Sequence, residues 1–344
     1  MTTSDAVAGL DLNQNLGEQN RLEQLVGPEW YRLLKGVVTN PLSVTGLIIV
    51  MLFILTAVFA PTLAPTPNEN WDPYKIPRDG FKPEPLPPGT VWEQNVPATV
   101  PGWYTLITGN EEWVHLLGTT SGQYDIWYGI VWGSRTALLA GTAVVAIQAL
   151  FGILIGSIAG FYGGWVDEVL MRIVEVFIVF PSLVAVLVLS SILVPIFGQS
   201  LWPAIIALVV FGWMGYTRLL RGDILSNKER DYVLAARASG AKDTHIILKH
   251  VLPNAIFPTL VFLSLDMGAI VLSFAALSFL GVGVEPGYAD WGQIVSFARD
   301  WILTLDKHWY IVLFPGLALL LYGLGWNLLG DALRDILDPK LRKG

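Results

Sequence analysis

The sequence predicts an all-α integral membrane protein with six transmembrane helices, for three reasons. Hydrophobic residues make up 53% of the 344 residues and charged residues only 14%, whereas about a quarter of a typical soluble domain is charged. Six stretches are long and apolar enough to cross the hydrocarbon core of a bilayer, which takes about 20 helical residues. Basic residues are divided unevenly between the segments that connect these stretches. With a mean hydropathy of +0.55, the chain is not expected to be a soluble or disordered protein.

The composition also excludes several classes of function. A net charge of −7 gives no electrostatic basis for binding nucleic acid. Cysteine is absent, which excludes disulfides, thiol nucleophiles and cysteine metal sites. The six apolar stretches do not alternate with polar residues as the strands of a membrane barrel do, so we predict that all of them are helices.

Residues 1–41 are polar and are predicted to form a cytoplasmic N-terminal segment with an amphipathic helix. Leu22, Leu25 and Trp30 alternate there with charged residues, a pattern typical of a helix that lies on the membrane surface. An ordinary amphipathic cap on the helix bundle explains the same pattern. Residues 42–64 contain no charge and are predicted to be an uncleaved first transmembrane helix.

Residues 65–135 are predicted to be an extracytoplasmic insertion rich in proline and aromatic residues. Recurrent aromatic residues indicate an irregular but packed cap, because a disordered segment would lack them. Acidic residues outnumber basic ones in this insertion. It is either a docking surface for an external partner or a solvated loop.

Residues 136–330 are predicted to hold a five-helix core, and residues 331–344 a C-terminal tail. If the N-terminus is cytoplasmic, most of the 21 Lys and Arg residues lie in cytoplasmic segments, as the positive-inside rule requires. Both termini are therefore predicted to be cytoplasmic. The five core spans are residues 136–161, 173–197 (interrupted by Pro181), 201–217, 255–280 and 310–329.

The cytoplasmic loop at residues 218–254 carries the strongest local signals. Asn227 is predicted to cap one short helix, and Gly240 suits a left-handed stop at its end. Asp243 is predicted to cap a second helix that ends before Pro253. The first helix is made slim by three alanines, which would let another protein approach its backbone closely. These alanines are Ala235, Ala236 and Ala238.

This loop resembles the "EAA" loop of ABC-importer permeases, in particular the second permease of the dipeptide/oligopeptide/nickel group. The resemblance rests on an ordered set of motifs that covers about residues 117–342 and the first span. It implies the six-helix architecture of a type I ABC-importer permease. The motifs are DYVLAARASG (231–240), HVLPN (250–254), GFYGG (160–164) with Asp167 and Arg172, LSFLGVG (277–283), WG (291–292), PGLA (315–318) and NLLGDALRD (327–335) with Asp338-Pro339.

The resemblance implies a non-catalytic permease subunit in the plasma (inner) membrane of a prokaryote. Such a subunit forms a path for short peptides that an extracytoplasmic binding protein delivers. Its other partners are membrane lipid, a homologous second permease and two cytoplasmic ATPases, which hold the ATP and Mg. This chain itself binds no cofactor. The residues matched to the ATPase-coupling loop are Asp231, Ala235, Ala236, Arg237, Gly240, Ala241, His250, Leu252 and Pro253.

Some positions depart from the family pattern. Leu234 stands where the EAA glutamate is found, as is common in this subgroup. Phe274 stands where the family usually has an acidic residue, and Thr120, Gln123 and Tyr124 stand where it has an Asp and a later Gly-Arg pair. These positions lie toward the predicted outside, and the first loop is also longer than the resemblance leads us to expect. Such changes bear on the substrate rather than on the mechanism. Together with 14 tryptophans, whose faces suit sugar rings, they keep oligosaccharides as an alternative substrate, with nickel complexes behind them.

The chain lacks the residues of an enzyme. It has no Gly-x4-Gly-Lys-Ser/Thr loop to hold ATP phosphates, no Gly-x-Ser-x-Gly nucleophile motif and no pattern of histidines typical of a metal site. Energy for active transport must therefore come from a partner.

Asp266 is the one acidic residue deep in a predicted span. Because a charge in lipid is costly, we expect it to face either a transport path or another helix, to which it would hydrogen-bond. A self-sufficient secondary transporter or channel, with Asp266 as its ion site, is the alternative of a different class. That class predicts paired intramembrane ionisable groups and internal repeats. The sequence shows one deep acid and no clear repeat.

Overall fold

A computed structural model describes residues 36, 38–97 and 100–337 of the chain. Over these residues the fold is helical, and the β-structure consists of isolated bridges. The amphipathic helix predicted within residues 1–41 and the last residues of the predicted tail lie outside the described residues. The helices are α1 (Pro41–Val58), α2 (Ala60–Leu63), α3 (Gly102–Thr108), α4 (Ile126–Tyr162), α5 (Gly164–Ile178), α6 (Ser182–Phe197), α7 (Leu201–Asn227), α8 (Asp231–Ala238), α9 (Asp243–Ile246), a π-helix (Ile247–Val251), α10 (Leu252–Ala255), α11 (Phe257–Phe279), α12 (Trp291–Ser296), a 3-10 helix (Phe297–Thr304), α13 (Leu305–His308) and α14 (Tyr310–Leu337).

Five of the described helices, α1, α4, α7, α11 and α14, are long and apolar enough to cross a membrane. The sixth span is a broken one, because α5 and α6 meet at an angle of 84°. The break lies at Pro181, where the sequence predicted an interruption. The proline ring has no N–H to donate and disfavours a helical conformation at Phe180, so the helix cannot continue through this position.

Two of the long helices, α4 and α7, extend well beyond the apolar stretches predicted from the sequence, whereas α1 ends at Val58, before the predicted residue 64. α4 begins at Ile126 rather than at residue 136, because the Asp125 carboxylate caps it by accepting a hydrogen bond from Tyr128 N at 2.6 Å. α7 continues to Asn227 instead of ending near residue 217. Both extensions contain polar residues, so the length of the apolar stretch does not predict them.

A seam of three glycines joins α4 to α7. Gly152, Gly156 and Gly160 are spaced by four residues and so share one face of α4. A Cβ atom added to them would lie 2.2 Å from Tyr216 Cβ, 2.8 Å from Thr217 O and 2.9 Å from Ile224 Cβ, respectively. The two backbones therefore approach each other as closely as small residues allow, which is a common way for membrane helices to pack.

The first span packs against the last. A Cβ atom on Gly46 of α1 would lie 2.9 Å from Gly325 O of α14. Nearer the C-terminal end of α1, the Phe53 ring lies 5.4 Å from the rings of both Trp291 and Tyr322. α1 is thus part of the helix bundle rather than a separate anchor.

The region between α2 and α4 is an irregular, packed cap, as the sequence predicted. Its interior contains Trp92, Tyr104, Trp113 and Val114. Trp103 fastens the cap to the end of the first span, because its indole donates a hydrogen bond to Thr62 O. Trp127 and Trp132 attach the start of α4 to the same place, because they donate to Leu63 O and Ala64 O. The Pro-rich segment is therefore ordered by its aromatic residues.

Candidate coupling surface and transport path

The predicted coupling turn has the geometry that its sequence indicates. α8 ends at Ala238, and Gly240 adopts a left-handed conformation with φ of +79°. Gly240 N donates to Arg237 O at 3.0 Å and Ala241 N to Ala236 O at 3.1 Å, which closes the end of the helix. The predicted left-handed stop is confirmed. Gly240 is exposed, and a Cβ atom added to it would meet no atom within 4 Å.

Two of the predicted helix caps are wrong. Asn227 is the last residue of α7, and the cap position of α8 is Arg230. α7 continues further than the apolar stretch, so the chain reaches Asn227 while it is still helical. Asp243 is the first residue of α9 rather than its cap, which is Lys242. An acidic residue in the first turn still interacts favourably with the helix dipole.

The predicted end of the second helix before Pro253 is also wrong. The chain passes from α9 through the π-helix into α10, which extends to Ala255. Pro253 lies in the first turn of α10, where the N–H that proline lacks is not needed for a helical hydrogen bond. A π-helix before the proline therefore lets the helical path continue past it.

The turn rests on an apolar core of its own. Val233, Ile246 and Val251 are fully buried there, against Leu220 and Ile224 of α7. Lys228 strengthens the attachment, because its Nζ donates to Gly160 O at 2.8 Å. The exposed turn is thus attached by packing and a hydrogen bond to the end of the α4–α7 seam.

The residues matched to the coupling loop divide into an exposed group and a half-buried group. Asp231, Ala235, Arg237, Gly240 and Pro253 are exposed. The half-buried group consists of Ala236, Ala241, His250 and Leu252. The structure therefore brings the predicted residues to one region, with the turn at its outermost point.

Two open clefts flank this turn. One, of about 620 Å³, is lined by residues that include Lys242, His245, Leu248 and Lys249. The other, of about 740 Å³, is lined by residues that include Phe161, Lys228, Leu234, Arg237 and Asp243. Leu234 and Leu248 are 50% and 64% exposed. Exposed leucines among charged residues are typical of a surface that another protein covers.

Sequence reasoning missed Leu248 as a surface residue. Its neighbours Ile246, Ile247 and Val251 are equally apolar, and they are buried. The segment changes from α-helix to π-helix at Ile247, so a fixed helical period does not apply along its whole length. Periodicity alone therefore could not separate Leu248 from the residues around it.

The Gly160–Gly164 motif lies beside the coupling turn. Asp167, just after it in α5, accepts hydrogen bonds from both Nε and Nη2 of Arg221 in α7. Arg237 of α8 lies over the Phe161 ring, 5.8 Å from its centre. These contacts connect α4, α5 and α7 to α8, so motifs that are far apart in sequence form one assembly at the end of the bundle that the sequence predicts to be cytoplasmic.

Asp266 makes an interhelical hydrogen bond. Its Oδ2 accepts from the Tyr216 hydroxyl at 2.8 Å, which joins α11 to α7. The Tyr216 ring is fully buried and lies 4.8 Å from Phe262. Among the described residues, Asp266 has no ion-pair partner. The structural alternative for Asp266 is therefore observed, and its role in a transport path stays a prediction.

The family departures at Thr120 and Tyr124 are accommodated inside the cap. Thr120 is fully buried, and its N–H donates to Tyr124 O at 2.9 Å. The Tyr124 ring stacks on Phe297 at 5.1 Å on one side and receives the Arg78 guanidinium at 4.6 Å. Both residues thus serve the packing of the cap.

A buried cluster of charged residues ties the cap to α4. His115 is fully buried; its Nδ1 lies 2.7 Å from Asp125 Oδ2, and its Nε2 lies 3.2 Å from Asp79 Oδ2. Trp92 stacks on the imidazole at 4.3 Å. Burial by itself lowers the pKa of His115, but the hydrogen bonds and charges of Asp125 and Asp79 outweigh it and raise the pKa above its usual value.

Two family models match this chain. One is described as the inner membrane component of binding-protein-dependent transport systems and matches residues 152–343. The other, described as the N-terminal transmembrane domain of oligopeptide transport permease C, matches residues 30–88. The chain belongs to this permease family. Its fold is that of a type I ABC-importer permease with six transmembrane helices, one of them broken at Pro181.

Curated relatives cover nearly the whole permease. It is 34% identical over 313 residues to a dipeptide transport system permease protein of Alkalihalophilus pseudofirmus. The aligned residues make up 91% of this chain and 90% of the relative. It is 35% identical to a probable D,D-dipeptide transport system permease protein of Escherichia coli K12, over 90% of each chain. A glutathione transport system permease protein of Pectobacterium atrosepticum is 37% identical over 66% of this chain and 73% of its own.

Proposed function

We propose that this permease pairs with a homologous second permease and forms with it the membrane path of an ATP-driven importer. An extracytoplasmic binding protein delivers the substrate, and two cytoplasmic ATPases bind ATP and Mg and supply the energy. The permease is not catalytic. One observation carries the proposal: the slim, exposed turn around Gly240 stands on a rigid apolar base, with a cleft on either side.

The turn suits an ATPase as its partner. Small residues at Ala235, Ala238 and Gly240 let a groove on the partner approach the backbone. Leu234 and Leu248 supply apolar contacts on the two sides. The contacts with α4 and α5 would transmit movement of the turn to the transmembrane helices.

The proposed substrate is a short peptide. Relatives named for dipeptide and glutathione transport support this assignment. The sequence-based argument for oligosaccharides weakens, because Thr120 and Tyr124 pack within the cap. Several tryptophans are likewise engaged in structural contacts: Trp103, Trp127 and Trp132 bond to the end of the first span, and Trp291 donates to Ile130 O.

We also propose that both termini are cytoplasmic in a prokaryotic plasma membrane. The absence of native cysteine makes this testable in cells. Single cysteines introduced at the exposed positions Glu111 and Ser226 are expected to react with an impermeant maleimide from opposite sides. Labelling of both from the same side would refute the orientation.

Purification of the tagged permease from its source membrane tests the assembly. We expect a second permease and two ATPase subunits to copurify, and ATP hydrolysis in proteoliposomes to rise when the loaded binding protein is added. Transport by the permease alone, driven by an ion gradient, would favour the secondary-transporter alternative. Mass spectrometry of ligands retained by the cognate binding protein tests the substrate, and a bound sugar would overturn the peptide assignment.

A further inference from the structure

The short helix α3 has one face fixed in the cap. Tyr104 is fully buried, and its hydroxyl donates to Val114 O at 3.2 Å and accepts from Val114 N at 2.8 Å. Its ring packs at 4.3 Å against Trp113. The orientation of α3 about its own axis is therefore set by the cap interior.

The exposed part of α3 is an apolar stripe. Leu106 and Ile107 are 87% and 77% exposed, which is high for such large aliphatic side chains. Trp103 lies three and four residues before them and so belongs to the same face. The helix contains no charged residue. Because water disfavours such a surface, it requires a partner of apolar chemistry.

The stripe lies beside the end of the first span. Trp103 Nε1 donates to Thr62 O at 3.1 Å, and Thr62 is in α2, which directly follows α1. Val58 and Phe59, one turn earlier, are 58% and 52% exposed and continue the outer surface of the span. Arg135 is held here too, because its Nη2 donates to Val58 O at 3.4 Å. Tryptophan and arginine are typical residues of the membrane interface.

We propose that α3 is an interfacial helix that inserts Leu106 and Ile107 into the outer leaflet of the bilayer. The partner is phospholipid, at the level of the glycerol and upper acyl groups. Continuity with the exposed surface of α1 favours lipid over a protein. The insertion holds the cap at a fixed height and tilt over the end of the first span. It requires that α1 crosses the membrane, and the assignment to the outer leaflet also rests on the orientation proposed above, but it does not depend on the proposed transport function.

Depth-dependent fluorescence quenching of the full-length permease in lipid nanodiscs tests this inference. A bimane label is attached to a single cysteine at Leu106, and the nanodiscs contain phosphatidylcholine with a doxyl group either near the headgroup or near the chain end. We expect the headgroup-proximal doxyl to remove most of the fluorescence at Leu106, and the chain-end doxyl to remove much less. Leu52 of α1, which is 57% exposed and lies farther from the end of the span than Val58 and Phe59, is the reference for deep quenching.

Glu112 is the matched control, because it is exposed and belongs to the same cap. Its label should be quenched by iodide in the buffer and not by either lipid. Quenching at Leu106 that resembles that at Glu112 would overturn the inference. So would protection of Leu106 from both lipid and iodide in the assembled complex, because a protein subunit would then cover the stripe.

Discussion

At the scale of single residues, Gly240 combines a backbone requirement with an open surface. Its left-handed φ of +79° costs an L-residue about 1 kcal/mol, whichever side chain is added. No atom of the chain would meet a new Cβ within 4 Å, so even a large side chain fits the isolated permease. We predict that Gly240→Ala keeps most uptake, whereas Gly240→Trp abolishes coupled uptake and substrate-stimulated ATP hydrolysis. Both are measured in proteoliposomes with the reconstituted complex.

Gly89 provides a matched control for this prediction. It has φ of +88°, is exposed and has no atom within 4 Å of an added Cβ, but it belongs to the cap, which is extracytoplasmic in the proposed orientation. Gly89→Trp therefore imposes the same backbone strain far from the proposed ATPase surface, and ATPase coupling should survive. Normal coupled uptake in Gly240→Trp would mean that the ATPase docks elsewhere.

At the scale of elements, the glycine seam determines how closely α4 and α7 pack. A Cβ atom on Gly156 would lie 2.8 Å from Thr217 O and 3.3 Å from Arg221 N, both of which are backbone atoms that cannot rotate away. We predict that Gly156→Leu destabilises the permease by about 1–3 kcal/mol or more, as overpacking does. Lower folded yield and lower melting temperature, measured by size-exclusion chromatography after heating in detergent, would show this.

Gly222 of α7 is the matched control for the seam. Space is open around it, since an added Cβ would meet nothing within 4 Å. Gly222→Leu should leave the melting temperature unchanged or slightly raised, because leucine favours a helix more than glycine does. Equal stability of Gly156→Leu and the wild type would show that the seam does not hold the helices together.

The same elements show what a single sequence can reveal about this fold. The spans could be predicted from uninterrupted apolar residues, and the break could be predicted from Pro181. Hydrophobicity and the effect of proline on the backbone both act locally, within one helix. The ends of α4 and α7 were misplaced because they depend on contacts beyond the apolar stretch, such as the bond from Lys228 to Gly160. No local sequence pattern predicted the π-helix that precedes Pro253.

Across the molecule, some candidate sites are formed by residues that are neighbours in the sequence, and others by residues that are far apart in it. The turn at Gly240 was predictable because a helix stop is a property of neighbouring residues. The Tyr216–Asp266 hydrogen bond and the Asp79–His115 contact join residues that are 50 and 36 positions apart, so no spacing rule indicates them. Their consequence is also long-range, because the cap is linked through Asp125 to α4, which runs unbroken to the cytoplasmic assembly.

The His115 cluster makes this linkage sensitive to pH. Asp79 and Asp125 raise the pKa of His115 in the folded protein above the unfolded value of about 6.5. A raised pKa means that the charged imidazole stabilises the fold fully below pH of about 6.5 and that this contribution is lost as pH rises through the folded pKa. The side chain has no access to water in the folded cap. Deprotonation therefore leaves two buried carboxylates with a weaker partner.

We predict that His115→Gln lowers the stability of the permease most at pH values below about 6.5 and progressively less above that value. Glutamine keeps the volume and one hydrogen bond but cannot carry charge, so the low-pH loss is that of one hydrogen bond to a charged group, about 1.5–3 kcal/mol. The measurement is the melting temperature of wild type minus variant in nanodiscs across this range. Asp290, whose pKa burial raises to about 6, titrates in both proteins and cancels in the difference. A difference that stays constant with pH would mean that His115 holds the cap as a neutral side chain, because only a change in its charge can make the two stability curves converge.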